Sequence, residues 1–231
     1  KKPVSEQLKL LFKNGQWTVL FGVCFFGTVG YVIRGSVAIF YAKYFLGGDA
    51  SVQSTFMATG VTAAILAMPV STYITKHYCK VKLFKYTQLA VGAISLVMYF
   101  AVKPGDMAMA YVLYFILSFV VDLHAPVFWS AIAEAVDYGH AETGKRVSGL
   151  SFGGISFAQK AGMGVAGALV GYLLDFFSYN PDGVQGESAL IGLALMLTII
   201  PGVFHVIMGG LMFRYKITDE YYETIKKKLN I

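Results

Sequence analysis

Residues 188–213 read SALIGLALMLTIIPGVFHVIMGGLMF, and His205 is the only ionisable side chain among these 26 residues. A helix needs about 20 apolar residues to cross ~30 Å of hydrocarbon, so this stretch is long enough. The strands of a membrane barrel alternate polar and apolar residues. The part Leu190–Leu197 shows no such alternation. The stretch therefore predicts a transmembrane helix and not a strand.

Stretches of similar length and polarity occur five more times along the chain. Each has between 20 and 28 residues and at most two Asp, Glu, Lys, Arg or His residues. Together with residues 188–213 they predict an all-α integral membrane protein, built as a six-helix transmembrane bundle. The five stretches are Trp17–Ala42, Ala50–Thr75, Leu83–Val102, Met107–Ala133 and Val147–Leu174.

The composition agrees with a membrane protein and excludes two other classes. Hydrophobic residues make up 56% of the chain and charged residues 14%, against roughly 25% charge in a soluble domain. A disordered chain needs the opposite balance. The net charge of +6 does not indicate nucleic-acid binding, because the basic residues stand in short groups between apolar runs. The two cysteines, Cys24 and Cys79, suggest neither a disulfide framework nor a metal site.

The basic residues also predict how the chain is oriented. Of the 19 Lys and Arg residues, 14 lie before the first span, after the second, after the fourth or in the tail, and Lys85 lies just inside the start of the third span. By the positive-inside rule, both termini are expected in the cytoplasm, with the protein in the plasma (inner) membrane. The predicted organisation is a juxtamembrane segment over residues 1–16, a bundle over 17–213 and a cytoplasmic tail over 214–231.

The tail shows an amphipathic pattern. Apolar residues recur at four-residue spacing, with charged residues between them. This pattern predicts a helix lying on the inner membrane surface, and the alternative is a solvated charged tail. The apolar positions are Ile217, Tyr221, Ile225 and Leu229.

Three charged residues lie well inside predicted spans, whereas Lys85 lies at the very start of the third. An ionisable group inside a span is a functional candidate because it needs a partner or water. Lys160 and Asp122 lie at similar depths on consecutive antiparallel helices, so an ion pair between them is geometrically possible. Such a pair would be a structural clamp or part of a gated ion path. Arg34 lies nearer the outer end, where its side chain can extend part-way to the interface.

The roles of three further side chains each have two possible interpretations from the sequence. His124 and His205 are expected to be buried and hydrogen-bonded, with a proton relay as the alternative. Trp129 lies near the inner end of its helix, where an indole either belongs to the interfacial aromatic belt or stacks on a sugar ring. Trp129 therefore joins Lys160, Asp122 and Arg34 as a candidate functional residue of the spans.

Prolines and glycines mark the shape of the helices. Three prolines fall inside predicted spans and predict either ordinary bends or the kinks of a transporter. Two glycine pairs in the fifth span have the spacing that lets helix backbones approach closely. These residues are Pro69, Pro126 and Pro201, with Gly149/Gly153 and Gly167/Gly171.

The most specific motif lies between the fourth and fifth spans. Residues 129–152 read WSAIAEAVDYGHAETGKRVSGLSF, followed by Phe157-Ala158-Gln159-Lys160. This pattern resembles the melibiose permease-like family of glycoside–pentoside–hexuronide:cation symporters, within the major facilitator superfamily. The resemblance covers nearly the whole chain, and it corresponds to helices seven to twelve of the family's twelve.

The resemblance implies cation-coupled sugar or glycoside symport by alternating access, with this chain as the C-terminal half and residues 1–16 as a remnant of the central loop. Lys160 matches the family's lysine implicated in sugar and cation coupling. Depth in the spans and the resemblance together predict a substrate and cation pathway that includes Lys160, Asp122, Trp129 and Arg34. A cytoplasmic loop that influences conformational switching is matched by Asp137, Tyr138, Thr143, Gly144 and Arg146.

The resemblance also implies the partners. These are a sugar or glycoside, membrane lipid, a missing N-terminal six-helix half, and a coupling cation (H⁺, Na⁺ or Li⁺) bound mainly by that half. No other cofactor, resident metal or nucleic acid is expected, and the dispersed polar residues do not suggest an enzyme. The alternative is a free-standing six-helix protein that dimerises as a channel or scaffold.

Overall fold

A computed structural model describes residues 3–231, so Lys1 and Lys2, two of the basic residues behind the predicted orientation, lie outside it. The described residues form ten α-helices and no strand, which confirms the all-α fold class. A π-helical turn, Tyr41–Phe45, prolongs α2, and a 3₁₀ turn, Met212–Arg214, prolongs α9. The helices are α1 Val4–Lys13, α2 Gly15–Phe40, α3 Ala50–His77, α4 Lys80–Ala101, α5 Met107–Asp122, α6 Ala125–Thr143, α7 Gly149–Phe176, α8 Glu187–Leu197, α9 Ile199–Leu211 and α10 Asp219–Leu229.

Five helical segments within residues 3–231 are long and apolar enough to cross a membrane. They contain α2, α3, α4, the pair α5–α6 and the pair α8–α9. The remaining predicted span is α7, which has 28 residues and so is also long enough. Its seven glycines and Lys160 lower its mean hydropathy. All six predicted spans are therefore helical, and the described chain is a multi-pass membrane protein.

The fourth predicted span is two helices and not one. The structure breaks it at residues 123–124, between α5 and α6, with Pro126 in the first turn of α6. Proline has no N–H to offer the carbonyl four residues earlier, and here that carbonyl belongs to Asp122. Neighbouring carbonyls are bound by side chains instead: Ser71 Oγ donates to the carbonyl of Leu123 at 2.5 Å.

The last predicted span is broken for the same reason. Thr198 separates α8 from α9 in a non-helical conformation, and Pro201 follows in the first turn of α9. The carbonyl that Pro201 leaves free is that of Leu197, and it accepts a hydrogen bond from Arg34 Nε at 3.1 Å. Pro69 behaves differently, because α3 continues through it.

Helix α6 runs well beyond the predicted end of its span at Ala133. It continues to Thr143 and ends at Gly144, whose φ of 68° is the left-handed conformation that glycine adopts readily. Asp137, Tyr138 and Thr143, predicted to lie in a loop, are therefore in the last turns of a helix. Only the following residues form the connection to α7.

The packing of α2 against α7 corrects the predicted glycine contacts. Within residues 3–231, a side chain at Gly149, Gly153, Gly167 or Gly171 would meet nothing within 4 Å, so these glycines do not serve close approach between the described helices. A close backbone contact lies instead at Gly162, where an added Cβ would lie 2.9 Å from the carbonyl oxygen of Phe25 on α2. Sequence spacing alone did not distinguish the packed face of α7 from its open one.

The two ends of the described chain meet on one side of the bundle. Gln16, at the start of α2, is buried, and its amide donates to the carbonyl of Arg214 at 3.4 Å and accepts from Lys216 N–H at 2.7 Å. Helix α10 then packs on α6 and buries Ile225, while Ile217 is also buried. These two apolar positions of the tail therefore pack inside the protein and not on a membrane surface, contrary to the prediction.

Candidate functional site

A cleft of about 320 Å³ opens at the break between α5 and α6. Side chains of α2, α7 and α9 complete its walls. Small-molecule sites are clefts of ≈ 300–1,000 Å³ with a few placed polar groups, so this cleft is at the lower end of that range. Most of its lining is apolar, and its polar and aromatic members include Tyr31, Asp122, His124, Trp129 and Gln159.

A second cavity of about 250 Å³ adjoins the cleft and shares Tyr31 and Asp122 with it. It extends between α2, α3 and α5, and its polar members also include Arg34, Tyr114 and Ser118. Asp122 is the acidic residue of both spaces, so the break in the fourth span places one carboxyl where two cavities meet.

Asp122 is half-buried as the last residue of α5, and it forms no ion pair with any other residue in the range 3–231. The predicted pair with Lys160 is therefore not formed. Lys160 is exposed on α7, and although its neighbour Gln159 lines the cleft, Lys160 does not. The apolar stretch around Lys160 did not indicate the direction in which its side chain points.

Arg34 is buried inside the bundle and does not extend to the interface, although its sequence position allowed it. Only 5% of the residue is exposed. Its Nε binds the Leu197 carbonyl at 3.1 Å, and its Nη1 donates to His205 Nε2 at 3.3 Å. Its Nη2 has no partner within residues 3–231. Arg34 thus closes the break in the last span and also lines the second cavity.

His205 continues this contact toward the cleft, and it is buried and hydrogen-bonded, as predicted. Its Nδ1 lies 2.9 Å from Gln88 Oε1, and Gln88 Nε2 donates to the carbonyl of Val121 at 3.1 Å. Because arginine only donates, His205 Nε2 accepts, and its Nδ1–H donates to Gln88. Leaving such a buried polar group without its hydrogen-bond partner lowers the folding stability by about 1–3 kcal/mol. Gln88 was missed because a single glutamine in an apolar stretch carries no motif.

Trp129 lies in the cleft, although it is near the end of the apolar stretch. Its side chain is on α6, 54% exposed, and its ring lies 5.5 Å from that of Phe128 at 73°. An exposed indole facing a cleft offers an apolar surface for a ligand ring. His124, also in the cleft, donates its Nδ1–H to the Val121 carbonyl and packs edge-on against Phe84 at 5.0 Å.

The residues predicted to govern conformational switching lie apart from the cleft, near the C-terminal end of α6. Asp137 is buried, pairs with Arg146 and accepts a hydrogen bond from the Tyr222 hydroxyl of α10 at 2.7 Å. Burial and this hydrogen bond raise the pKa of Tyr222 to about 12, so its phenol stays protonated at neutral pH. Thr143 Oγ1 donates to the Gly139 carbonyl at 2.7 Å within the same helix.

A buried ion cluster beside Asp137 was not predicted. Lys80, at the start of α4, pairs with Glu134 of α6 and also with Asp219 of α10 at 3.0 Å. Lys80 and Glu134 are buried, whereas Asp219 is exposed. Lys80 was counted among the basic residues that set the orientation. Its position between two apolar spans gave no signal that it binds inside the protein.

Comparison with known proteins agrees with the symporter resemblance. Residues 1–219 match the family described as MFS/sugar transport protein. The chain is 28% identical over 228 residues to the inner membrane symporter YicJ of Escherichia coli, covering 98% of this chain and 49% of that protein. It is equally similar, over the same shares, to the putative glycoside/cation symporter YagG of the same organism.

A third relative comes from another organism. The isoprimeverose transporter of Lactiplantibacillus pentosus is 26% identical over 223 residues, which cover 93% of this chain and 44% of the transporter. The chain therefore spans about half the length of the curated relatives it matches.

Proposed function

The chain belongs to the MFS/sugar transport protein family, and from that membership we propose that it is the C-terminal half of a cation-coupled sugar or glycoside symporter. The printed names of two relatives, a glycoside/cation symporter and an isoprimeverose transporter, support the substrate class. In alternating access, two helical bundles rock about a site between them. A second six-helix half would complete that site here and bind most of the coupling cation, H⁺, Na⁺ or Li⁺.

The observation that carries this proposal is the cleft itself. It joins a half-buried carboxyl, Asp122, to an exposed indole, Trp129, and an amide, Gln159. Polar groups that bind sugar hydroxyls and an aromatic face that packs on a pyranose ring are the chemistry a glycoside needs. The cleft is open and has a volume of about 320 Å³, so its lining can form one wall of a larger site.

Substitution of Trp129 tests whether this cleft binds the substrate. The protein, expressed from its complete reading frame in membrane vesicles, is assayed by counterflow of labelled glycosides. We expect Trp129→Ala to raise the half-saturation concentration about tenfold, or ~1.4 kcal/mol, because the ring contact is lost. Trp129→Phe should recover part of that loss. Phe100→Ala is the control, since Phe100 is similarly exposed on α4 but lines neither cavity.

Two results would contradict the proposal. If Trp129→Ala and Phe100→Ala behaved alike, the cleft would not be the substrate site. If the unsubstituted protein moved glycoside without trans-stimulation, it would act as a channel, and the dimeric channel or scaffold would replace the symporter.

We also propose that both termini face the cytoplasm, and Cys79 tests this orientation. Cys79 is a free, partly accessible thiol between α3 and α4, whereas Cys24 is free and buried. In a Cys24→Ala background, a membrane-impermeant maleimide should label Cys79 in permeabilised cells and not in intact ones. Equal labelling of intact cells would reverse the orientation.

A further inference from the structure

One hydrogen-bonded chain of side chains connects the two helix breaks of the bundle. It starts at the Leu197 carbonyl beside the α8–α9 break and passes through Arg34 and His205 to Gln88. It ends at the Val121 carbonyl beside the α5–α6 break. Its three side chains come from α2, α9 and α4, and all three are buried.

The far end of this chain is next to the cleft. Val121 immediately precedes Asp122, whose own carbonyl receives no N–H from Pro126. The Asp122 carbonyl therefore lacks the hydrogen bond that a regular helix would give it. Two side chains, Gln88 of α4 and His124 of the break, donate hydrogen bonds to the Val121 carbonyl.

From this arrangement we propose that Gln88, His205 and Arg34 are positioning residues, which act through the Val121 backbone to hold the Asp122 carboxyl at the cleft. The inference rests on the proposed function, because it assigns these residues a part in substrate binding. Gln88 lines neither space, whereas His205 borders the cleft and Arg34 borders the second cavity. Their common task is to fix the helix end from which Asp122 projects.

Gln88 is the link that substitution can alter most selectively. An amide accepts from His205 through Oε1 and donates to Val121 through Nε2 at the same time. A leucine does neither. A carboxylate only accepts, whereas a protonated carboxylic acid both accepts and donates. Gln88→Leu therefore removes the link, and Gln88→Glu makes it depend on pH.

The first part of the test compares Gln88→Leu with Ser95→Ala by glycoside counterflow. We expect Gln88→Leu to raise the half-saturation concentration about tenfold, with the maximal rate changed less than about twofold. Ser95 lies two turns along the same face of α4, buried against Gly202 of α9. Its hydroxyl has no partner within residues 3–231, so Ser95→Ala should leave both parameters unchanged.

The second part uses Gln88→Glu as a reversible version of the same change. The charged and titratable groups around position 88 are Arg34 on α2, His205 on α9, and Asp122 and His124 at the α5–α6 break. These groups are shared with the unsubstituted protein, so each half-saturation value is divided by that of the unsubstituted protein at the same pH. As the pH falls, the ratio for Gln88→Glu should approach one, and the ratio for Gln88→Leu should stay constant.

A ratio for Gln88→Glu that does not move with pH would overturn the inference, as would a Gln88→Leu value within about twofold of the unsubstituted protein. If Gln88→Leu does not reach the membrane, the test rests on Gln88→Glu alone. Its half-saturation ratio is then measured on one preparation at two pH values. Absence of counterflow by the unsubstituted protein would remove the proposed function, and this inference with it. Counterflow that persists unchanged in all Gln88 variants would remove the inference only.

Discussion

Replacement of Lys80 by methionine should lower the free energy of unfolding by about 3–5 kcal/mol, since it leaves a buried carboxylate without its ion-pair partner. Lys80 and Glu134 are each about nine-tenths buried, Lys80 binds Glu134 Oε1, and Glu134 Oε2 has no partner within residues 3–231. Methionine keeps most of the volume of the lysine stem, so the effect reports the lost charge. The measurement is the thermal unfolding midpoint of the purified protein in detergent.

Two further variants separate this effect from general damage. Glu134→Gln in the Lys80→Met background removes the unpaired charge and should recover much of the lost stability. Lys226→Met breaks the more exposed pair with Glu223 and should cost less than about 1 kcal/mol. Strictly additive losses for Lys80→Met and Glu134→Gln would contradict the importance of the pair.

Asp122→Asn should reduce the initial rate of uphill glycoside accumulation about 100-fold or more, which corresponds to about 2.7 kcal/mol in the activation free energy. The substitution keeps the size of the side chain and removes the only carboxyl within residues 3–231 that borders both cavities. An ionisable group at this depth is a functional candidate by default. No ion pair within residues 3–231 is lost, so the variant should accumulate in the membrane at normal levels. The measurement is glycoside accumulation in energised vesicles.

The opposite end of the same helix offers a matched control. Asp106 precedes α5 and accepts a hydrogen bond from the N–H of Met109 at 3.3 Å. Asparagine caps a helix about as well as aspartate does, so Asp106→Asn should leave accumulation and stability unchanged. If Asp122→Asn accumulated glycoside as well as Asp106→Asn does, Asp122 would have no part in coupling or binding.

The long helices could be predicted from the sequence because the length of an apolar stretch is a sufficient constraint in a bilayer. The breaks within the fourth and the last span could not be predicted. Pro69 and Pro126 stand in similar apolar surroundings, yet α3 continues and the fourth span divides. What distinguishes the broken span is the presence of donors on other helices, such as Gln88 and Ser71, that bind the carbonyls around the break.

The candidate site was predicted only in part. Asp122, Arg34 and Trp129 all line the cleft or the adjoining cavity. Lys160 does not, because depth in an apolar stretch says nothing about which way a helix face is turned. Gln88 was not predicted at all, since its importance lies in a hydrogen bond between residues 33 positions apart.

The contact of Gln16 with Arg214 and Lys216 has a consequence for biosynthesis. These partners are about 200 residues apart, and Gln16 is buried in the finished bundle. At about 5–20 residues per second, a ribosome needs ~10–40 s to make the intervening chain. During that time the amide of Gln16 must be hydrated or held by the insertion machinery. Helix α2, which begins next to Gln16, therefore reaches its final environment only after the later spans of this bundle have been made.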